Sequence, residues 1–485
     1  MDNFINDEYS PSFEHEAVTP LSETNQSEPL WDNYPLTHQG ALMRNTPVTE
    51  NNQNQSNYNF INDKPLSAND LQRLEALNME YTHVTVGSKH KIVSKKHCPV
   101  DGKSIAFESL LEFKSYFLHE PKVVGFNLGE AWLSWPGKNF KPGGVSFYPN
   151  PSKCPDTVFN FFEGFALKPK EGDVKPFITH IKKVICNGDE KASNYVIGFL
   201  AHMVQEPDDK PSVAVIMKSV EGTGKGTLFE PIKRILGNLA VQVNGAYQLT
   251  GRFNSVSANK LLVFADEVNL TDPRTADKLK GLISEPRLSL ERKGLDVIQV
   301  PNYCRFFFAS NHDNVISAGS RERRYIVLEP SAEYAQNIPY FKKLWQWIDN
   351  DGAEYLLHYL MNYDISDFNP RKAPMTQALL DEKLASLSPY QEFLINELLS
   401  DKPFDGQRRI STQDMIRNCR HWLDSNHHQL SEPRVRSGLG KLLSRLGIKP
   451  IGKSGRNAYY ELPEKIDFQR KFANALGHKL EEIFD

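Results

Sequence analysis

Cysteine is scarce in this chain. Five occur in 485 residues, Cys98, Cys154, Cys186, Cys304 and Cys419, and none is spaced from another like a metal knuckle or a disulfide framework. They read as reduced structural thiols, the state expected in a cytosolic compartment. His97 beside Cys98 finds no second Cys or His pair to complete a zinc site. No apolar run approaches membrane-spanning length and no leader-like segment opens the chain, so neither a membrane partner nor export is expected. Excess positive charge is also missing. The net charge of −3 excludes a protein coated in basic surface, and any nucleic-acid contacts must be concentrated in a few places. Basic residues almost vanish from the first sixty positions, where Arg44 stands alone. That stretch is rich in Asn, Ser, Glu and Pro and has no hydrophobic period. Residues 1–62 therefore read as a disordered acidic tail whose scattered Phe4, Ile5, Trp31, Tyr34 and Phe60 offer a short recognition motif at most.

What the chain does have begins at the apolar run Val213 to Met217, which leads into Glu221-Gly222-Thr223-Gly224-Lys225-Gly226-Thr227. A buried strand that ends in a glycine-rich turn and opens a helix lets backbone N–H groups converge on an anion. Lys225 then stands where it would neutralise nucleotide phosphates. The loop departs from the common pattern in two places: Ser219 takes the first glycine position, and Gly226 replaces the hydroxyl residue after the lysine. The metal-binding hydroxyl would then come from Thr227. Downstream, Leu261 to Ala265 reads as a second core strand ending in Asp266-Glu267, a metal ligand and a water-activating base. Arg305 to Ser310 is a third, followed by Asn311, whose amide could orient the attacking water. Arg323-Arg324 precede a fourth apolar run, in a position from which an arginine can reach a neighbouring subunit's site. Together these point to an ATP hydrolase using Mg²⁺.

The order of loop, apolar-Asp-Glu strand, hairpin, Phe-Ala-Ser-Asn strand and Arg-Arg-Tyr resembles superfamily 3 (AAA+) helicases. The likeness is to the ATPase module of phage, satellite and plasmid primase–helicases of the poxvirus type, and covers roughly residues 155 to 335. The resemblance implies a hexameric ring that moves 3′ to 5′ on single-stranded DNA and acts at forks, in a bacterial host cytoplasm. It implies that the hairpin from Leu288 to Val300 projects into the central channel, with Lys293 and then Arg292 gripping the backbone. It also makes either Arg323 or Arg324 the finger, Asn311 the γ-phosphate sensor, and the helices at 176–185 and 192–204 a collar. The primase found upstream in related polypeptides has no counterpart here, so a separate primase or host replication protein is an expected partner.

Around this core the expected fold is α/β, a P-loop ATPase domain at 171–385 with its helical collar. A small α+β accessory domain at 63–170 contains a hairpin around Gly87-Ser88 and an aromatic core. Residues 386–485 read as helices followed by a strand, basic turn and strand, the outline of a winged helix. Arg434, Arg436, Lys441 and Arg445 recur on its third helix, and Lys453 and Arg456 sit in the turn, so all six are candidate DNA contacts. Two other functions stay open. One is an ATP-switched DNA-binding initiator or loader without unwinding activity. The other, a P-loop enzyme acting on a small molecule or protein, leaves Asn311, the paired arginines and the C-terminal module without a use.

Overall fold

The computed structural model describes residues 58–95, 105–218, 222–245, 247–251, 255–290, 298–312, 314–316, 322–452 and 458–484, all within one compact unit, Glu50–Asp485. Residues 1–57 lie outside the described residues, but the last part of the segment read as an acidic tail is described. Phe60–Ile61 pairs antiparallel with Lys64–Pro65, Ile61 is fully buried, and Trp135 Nε1 donates to Tyr58 O at 2.6 Å. Ile61 packs among aromatic rings, a contact that composition averaged over the segment could not show.

From there Ser67 caps a helix, Ala68–Glu80, and the expected hairpin forms from Tyr81–Val86 and Lys89–Ser94, with Gly87 in the left-handed region at φ +61°. Tyr81, Phe113, Phe117 and Trp132 pack edge-on or tilted in a separate small core.

The centre of the molecule is a five-stranded parallel sheet. Its strands are β1 (Ala214–Lys218), β2 (Ala240–Asn244), β3 (Leu262–Asp266), β4 (Arg305–Ser310) and β5 (Tyr325–Leu328), in the order β2-β3-β4-β1-β5. β1, β4 and β5 are buried along nearly their whole length, as parallel strands covered on both faces must be, which is why they read as continuous apolar runs. Helix α1 (Glu190–Gln205) lies against this sheet, buried from Ala192 to Val204 save Asn194, with Phe199 edge-on to Phe307 of β4. Its apolar face packs within its own chain. Helix α2 (Lys225–Leu236) follows β1, and α3 (Pro273–Ser284), capped by Asp272, follows β3. Two short strands, Arg287–Leu290 and Ile298–Pro301, form the stem of the expected hairpin, with Leu290 opposite Ile298.

Beyond β5 come α4 (Ile338–Trp347), α5 (Ala353–Asn362) and α6 (Gln377–Ala385). The C-terminal part contains α7 (Pro389–Leu399), α8 (Thr412–Ser425), α9 (Glu432–Arg445) and α10 (Lys465–Leu476). Pro450–Ile451 and Tyr459–Glu461 pair antiparallel as expected, and Arg409–Ser411 adds a third strand that the sequence pattern did not reveal. Val435, Leu439 and Leu443 of α9 point into a core shared with Phe393, Met415 and Phe468. Among the described residues no helix is long and apolar enough to cross a membrane.

Candidate functional site

The glycine-rich loop ends in two residues that only glycine occupies without strain, Gly222 at φ +78° and Gly224 at φ +87°. Gly224 is the N-cap of α2 and Lys225 its first residue, so the lysine stands at the helix's positive end. The turn is held from outside by three contacts. The Gln336 N–H donates to Gly222 O at 3.3 Å. His180, fully buried, places Nε2 3.2 Å from Gly224 O and Nδ1 3.1 Å from the Tyr340 hydroxyl. A carbonyl only accepts, so Nε2 carries the proton and Nδ1 accepts from the tyrosine. Burial pushes the His180 pKa down to about 4, and the ring stays neutral at physiological pH. The Phe341 ring, third, packs against Gly224 so closely that a Cβ there would meet it at 2.6 Å.

β3 and β4 are neighbours in register, Ala265 opposite Phe308, so their carboxyl ends deliver Asp266 and Asn311 beside the loop. Glu267 adopts φ +53°, unusual for a residue with a side chain, and its N–H donates to Asp266 Oδ1 at 3.0 Å. Such conformations cost about 1–3 kcal/mol and persist where the surroundings enforce them. Here the turn separates the two carboxylates, leaving Asp266 half-buried and Glu267 exposed. Residues 222–227, Asp266, Glu267 and Asn311 line one cavity of about 520 Å³, together with Phe341 and Trp345 of α4. This is the carboxyl edge of a parallel sheet, where open α/β folds bind ligands. Gly226 faces open space, while Thr227 is buried at the cavity wall. The threonine is therefore the hydroxyl available to a metal on this loop's first helical turn.

The other expected site residues lie elsewhere. Arg323 and Arg324 do not line the cavity. Arg324 is tied within its own chain, Nε donating to Ser284 Oγ at 2.9 Å and NH1 3.5 Å from Glu322, whereas the Arg323 side chain is exposed. Arg434, Arg436, Lys441 and Arg445 are all exposed on α9, Arg436 pairing with Glu432 at 3.0 Å. Glu221, Arg292, Lys293, Lys453 and Arg456 lie outside the described residues.

A second polar cluster, His202, Glu206 and Asp209, resembles a metal site in composition. Its charges are already matched. Arg305, fully buried in β4, donates to His202 Nδ1 at 3.1 Å and to the Glu206 and Asp209 carbonyls, so the His202 Nε2–H is left to donate to the carboxylates. Arg371 pairs with Asp209 as well. A cation added there would face two guanidinium groups.

Comparison with known proteins adds the following. Residues 217–324 match a family of unknown function, DUF5906. The DNA primase-polymerase of Nitratiruptor phage NrS-1 is 24% identical over 258 residues, 51% of this chain and 35% of that protein, so this chain spans about a third of its relative's length. The apo structure of the NrS-1 C-terminal region (305–718) superposes with a TM-score of 0.61 at 16% identity, covering 81% of this chain and 99% of that one. A second apo form matches with the same score over 80% and 98%. This chain is thus a homologue of the phage primase-polymerase, and shares the fold of its C-terminal region.

The sequence pattern had not singled out Phe341, Trp345 or His180. The available signal was the four-residue spacing of Phe341 and Trp345 on a helix, but that spacing ordinarily marks a core face. Glu382 was likewise missed, as one acidic residue on an otherwise unremarkable helix.

Proposed function

We propose that this chain is an ATP-dependent, ring-forming DNA helicase in the replication of a phage or similar mobile element. The observation that carries the reading is the convergence of the Gly222–Thr227 loop, Asp266, Glu267 and Asn311 on one cavity at the carboxyl edge of a parallel sheet. A doubly wound parallel sheet with this loop after a central strand is the setting that an AAA+ P-loop ATPase requires. Similarity to a phage DNA primase-polymerase supports replication as the context.

In this reading the loop N–H groups and Lys225 hold the β- and γ-phosphates, and Glu267 accepts a proton from the attacking water while Asn311 orients it. The donor set of Thr227 hydroxyl and Asp266 carboxylate is all oxygen and suits Mg²⁺, which, when bound, neutralises charge developing on the phosphates. Arg323, exposed and unburdened, completes a neighbouring subunit's site, and finger arginines contribute about 10³–10⁵ in rate. The isolated subunit then hydrolyses slowly. Lys293 on the hairpin moves single-stranded DNA, and the C-terminal helices, read as a winged helix, hold duplex through α9.

The exposed basic side chains of α9 also favour a second reading, an ATP-switched duplex-binding initiator. Strand separation of a forked duplex with ATP and Mg²⁺ decides between them, comparing wild type with Lys225→Ala, Glu267→Gln and Lys293→Ala. Loss of unwinding in all three, with ATP hydrolysis kept in Lys293→Ala, supports the helicase. Hydrolysis and duplex binding without strand separation by wild type favours the initiator, and absence of nucleotide hydrolysis refutes both.

A further inference from the structure

We propose that Trp345, with Phe341 beside it on α4, is the stacking platform for the nucleobase of the bound nucleotide; the inference rests on the nucleotide-site reading above. None of the loop or strand-end motifs supplies such a group, since residues 222–227, Asp266, Glu267 and Asn311 offer the cavity hydrogen bonds and charge suited to phosphate, metal and water. Among the described residues, the aromatic side chains lining the cavity are Phe341 and Trp345, one helical turn apart on one face.

That helix is fixed to the phosphate loop. The contacts from Gln336 to Gly222 O, from His180 to both Gly224 O and the Tyr340 hydroxyl, and from Phe341 to Gly224 all lie at or next to its N-terminal end. Its far end is anchored by other residues. Leu344 and Ile348 are buried, and Trp347 stacks on Phe177 at 5.8 Å and 15° while its Nε1 donates to Asp173 O at 2.7 Å. Trp345 takes part in none of this anchoring. It is 39% exposed and, among the described residues, its indole has neither a ring neighbour nor a side-chain hydrogen bond. Phe341, by contrast, is held edge-on by His180 and Tyr340. An indole partly exposed on the cavity wall, on a helix whose position is tied to the glycine-rich loop, presents a π-face at a fixed offset from the phosphates. A nucleoside attached to those phosphates is the ligand with a matching flat face, and stacking of a base on an aromatic side chain is its strongest apolar contact.

The test is calorimetric titration of the whole 485-residue chain, with Mg²⁺, using ADP and inorganic pyrophosphate, which has the two phosphates but no base. Trp345→Ala is expected to weaken ADP roughly tenfold or more, the loss of one base stack, and to leave pyrophosphate within about twofold. Trp345→Phe, which keeps an aromatic face, is expected to restore most of the ADP affinity. Unchanged ADP binding in Trp345→Ala overturns the proposal, and so does equal weakening of both ligands, which would make the indole a support for the loop. Wild type that binds pyrophosphate as tightly as ADP leaves the phosphate site standing and refutes the platform alone, whereas wild type that binds neither refutes the nucleotide-site reading as well.

Discussion

Glu382 is an acidic residue with a completely buried side chain, and its removal has a calculable consequence. It sits on α6, whose N-cap Thr376 hydroxyl donates to Val327 O of β5 at 2.5 Å. The Glu382 Oε2 accepts the backbone N–H of Val315 at 2.9 Å and of Ile316 at 3.0 Å, both in the segment that follows Asn311. Its Oε1 faces Lys218 Nζ at 3.1 Å, a charge pairing with the last residue of β1, without the direction of a good hydrogen bond. One carboxylate therefore ties the strand that feeds the glycine-rich loop to the segment that follows Asn311. Glu382→Ala strands two buried N–H groups, at about 1–3 kcal/mol each. Lys218 remains about a quarter exposed and keeps water, so its lost partner adds little. Water entering the space left by the carboxylate recovers part of the cost, and the expected loss is about 3 kcal/mol. Glu382→Gln retains a carbonyl oxygen for the two N–H groups but gives up their charge assistance, and should cost about 1 kcal/mol. Urea unfolding fitted with more than one transition, together with hydrogen exchange of peptides covering 311–316, measures both. If Glu382→Ala lies within about 1 kcal/mol of wild type, or Glu382→Gln costs as much as Glu382→Ala, the two-amide account of this residue is wrong.

The two loop glycines should part company. Gly224→Ala places a Cβ 2.6 Å from the Phe341 ring and 2.7 Å from His180 at φ +87°, so it should destabilise by more than about 1–2 kcal/mol and weaken nucleotide binding, whereas Gly226→Ala meets nothing within 4 Å and should leave the melting midpoint unchanged or raised; equal midpoints for the two variants would contradict this. His180 makes stability depend on acid. Its folded pKa of about 4 lies below the unfolded value of 6.5, so between those pH values only the unfolded chain takes up the proton, and the stability owed to the neutral ring is lost as pH falls through that window, by about 3 kcal/mol in all. The stability gap between wild type and His180→Gln should therefore close between pH 7 and pH 4; denaturation curves with a constant gap would show that the ring does not titrate this way. Arg323→Ala should lower steady-state ATP turnover without moving the melting midpoint, while Arg324→Ala, losing the Ser284 contact, should cost about 1 kcal/mol of stability; the reverse pattern would exchange their roles.

The sequence alone determined the local pieces of the site. The apolar run before Gly222, the left-handed requirement at Gly222 and Gly224, and the carboxylates closing Leu262–Asp266 are each written in consecutive residues, because strand burial, glycine's freedom and a strand's end are short-range properties. The hairpin at Gly87 was legible for the same reason. Tertiary structure decided which pieces meet. That β1 lies between β4 and β5, bringing Asn311 beside Lys225, follows from pairings between strands far apart in the chain, which no local period encodes. Burial of charge was likewise invisible: Arg305 reads as the polar start of an apolar strand, and only its packing against α1 surrounds it with carbonyls and His202. The same holds for Glu382, His180 and the α4 aromatics. Their roles depend on what the fold sets opposite them, and a side chain's own neighbours in sequence carry no record of that.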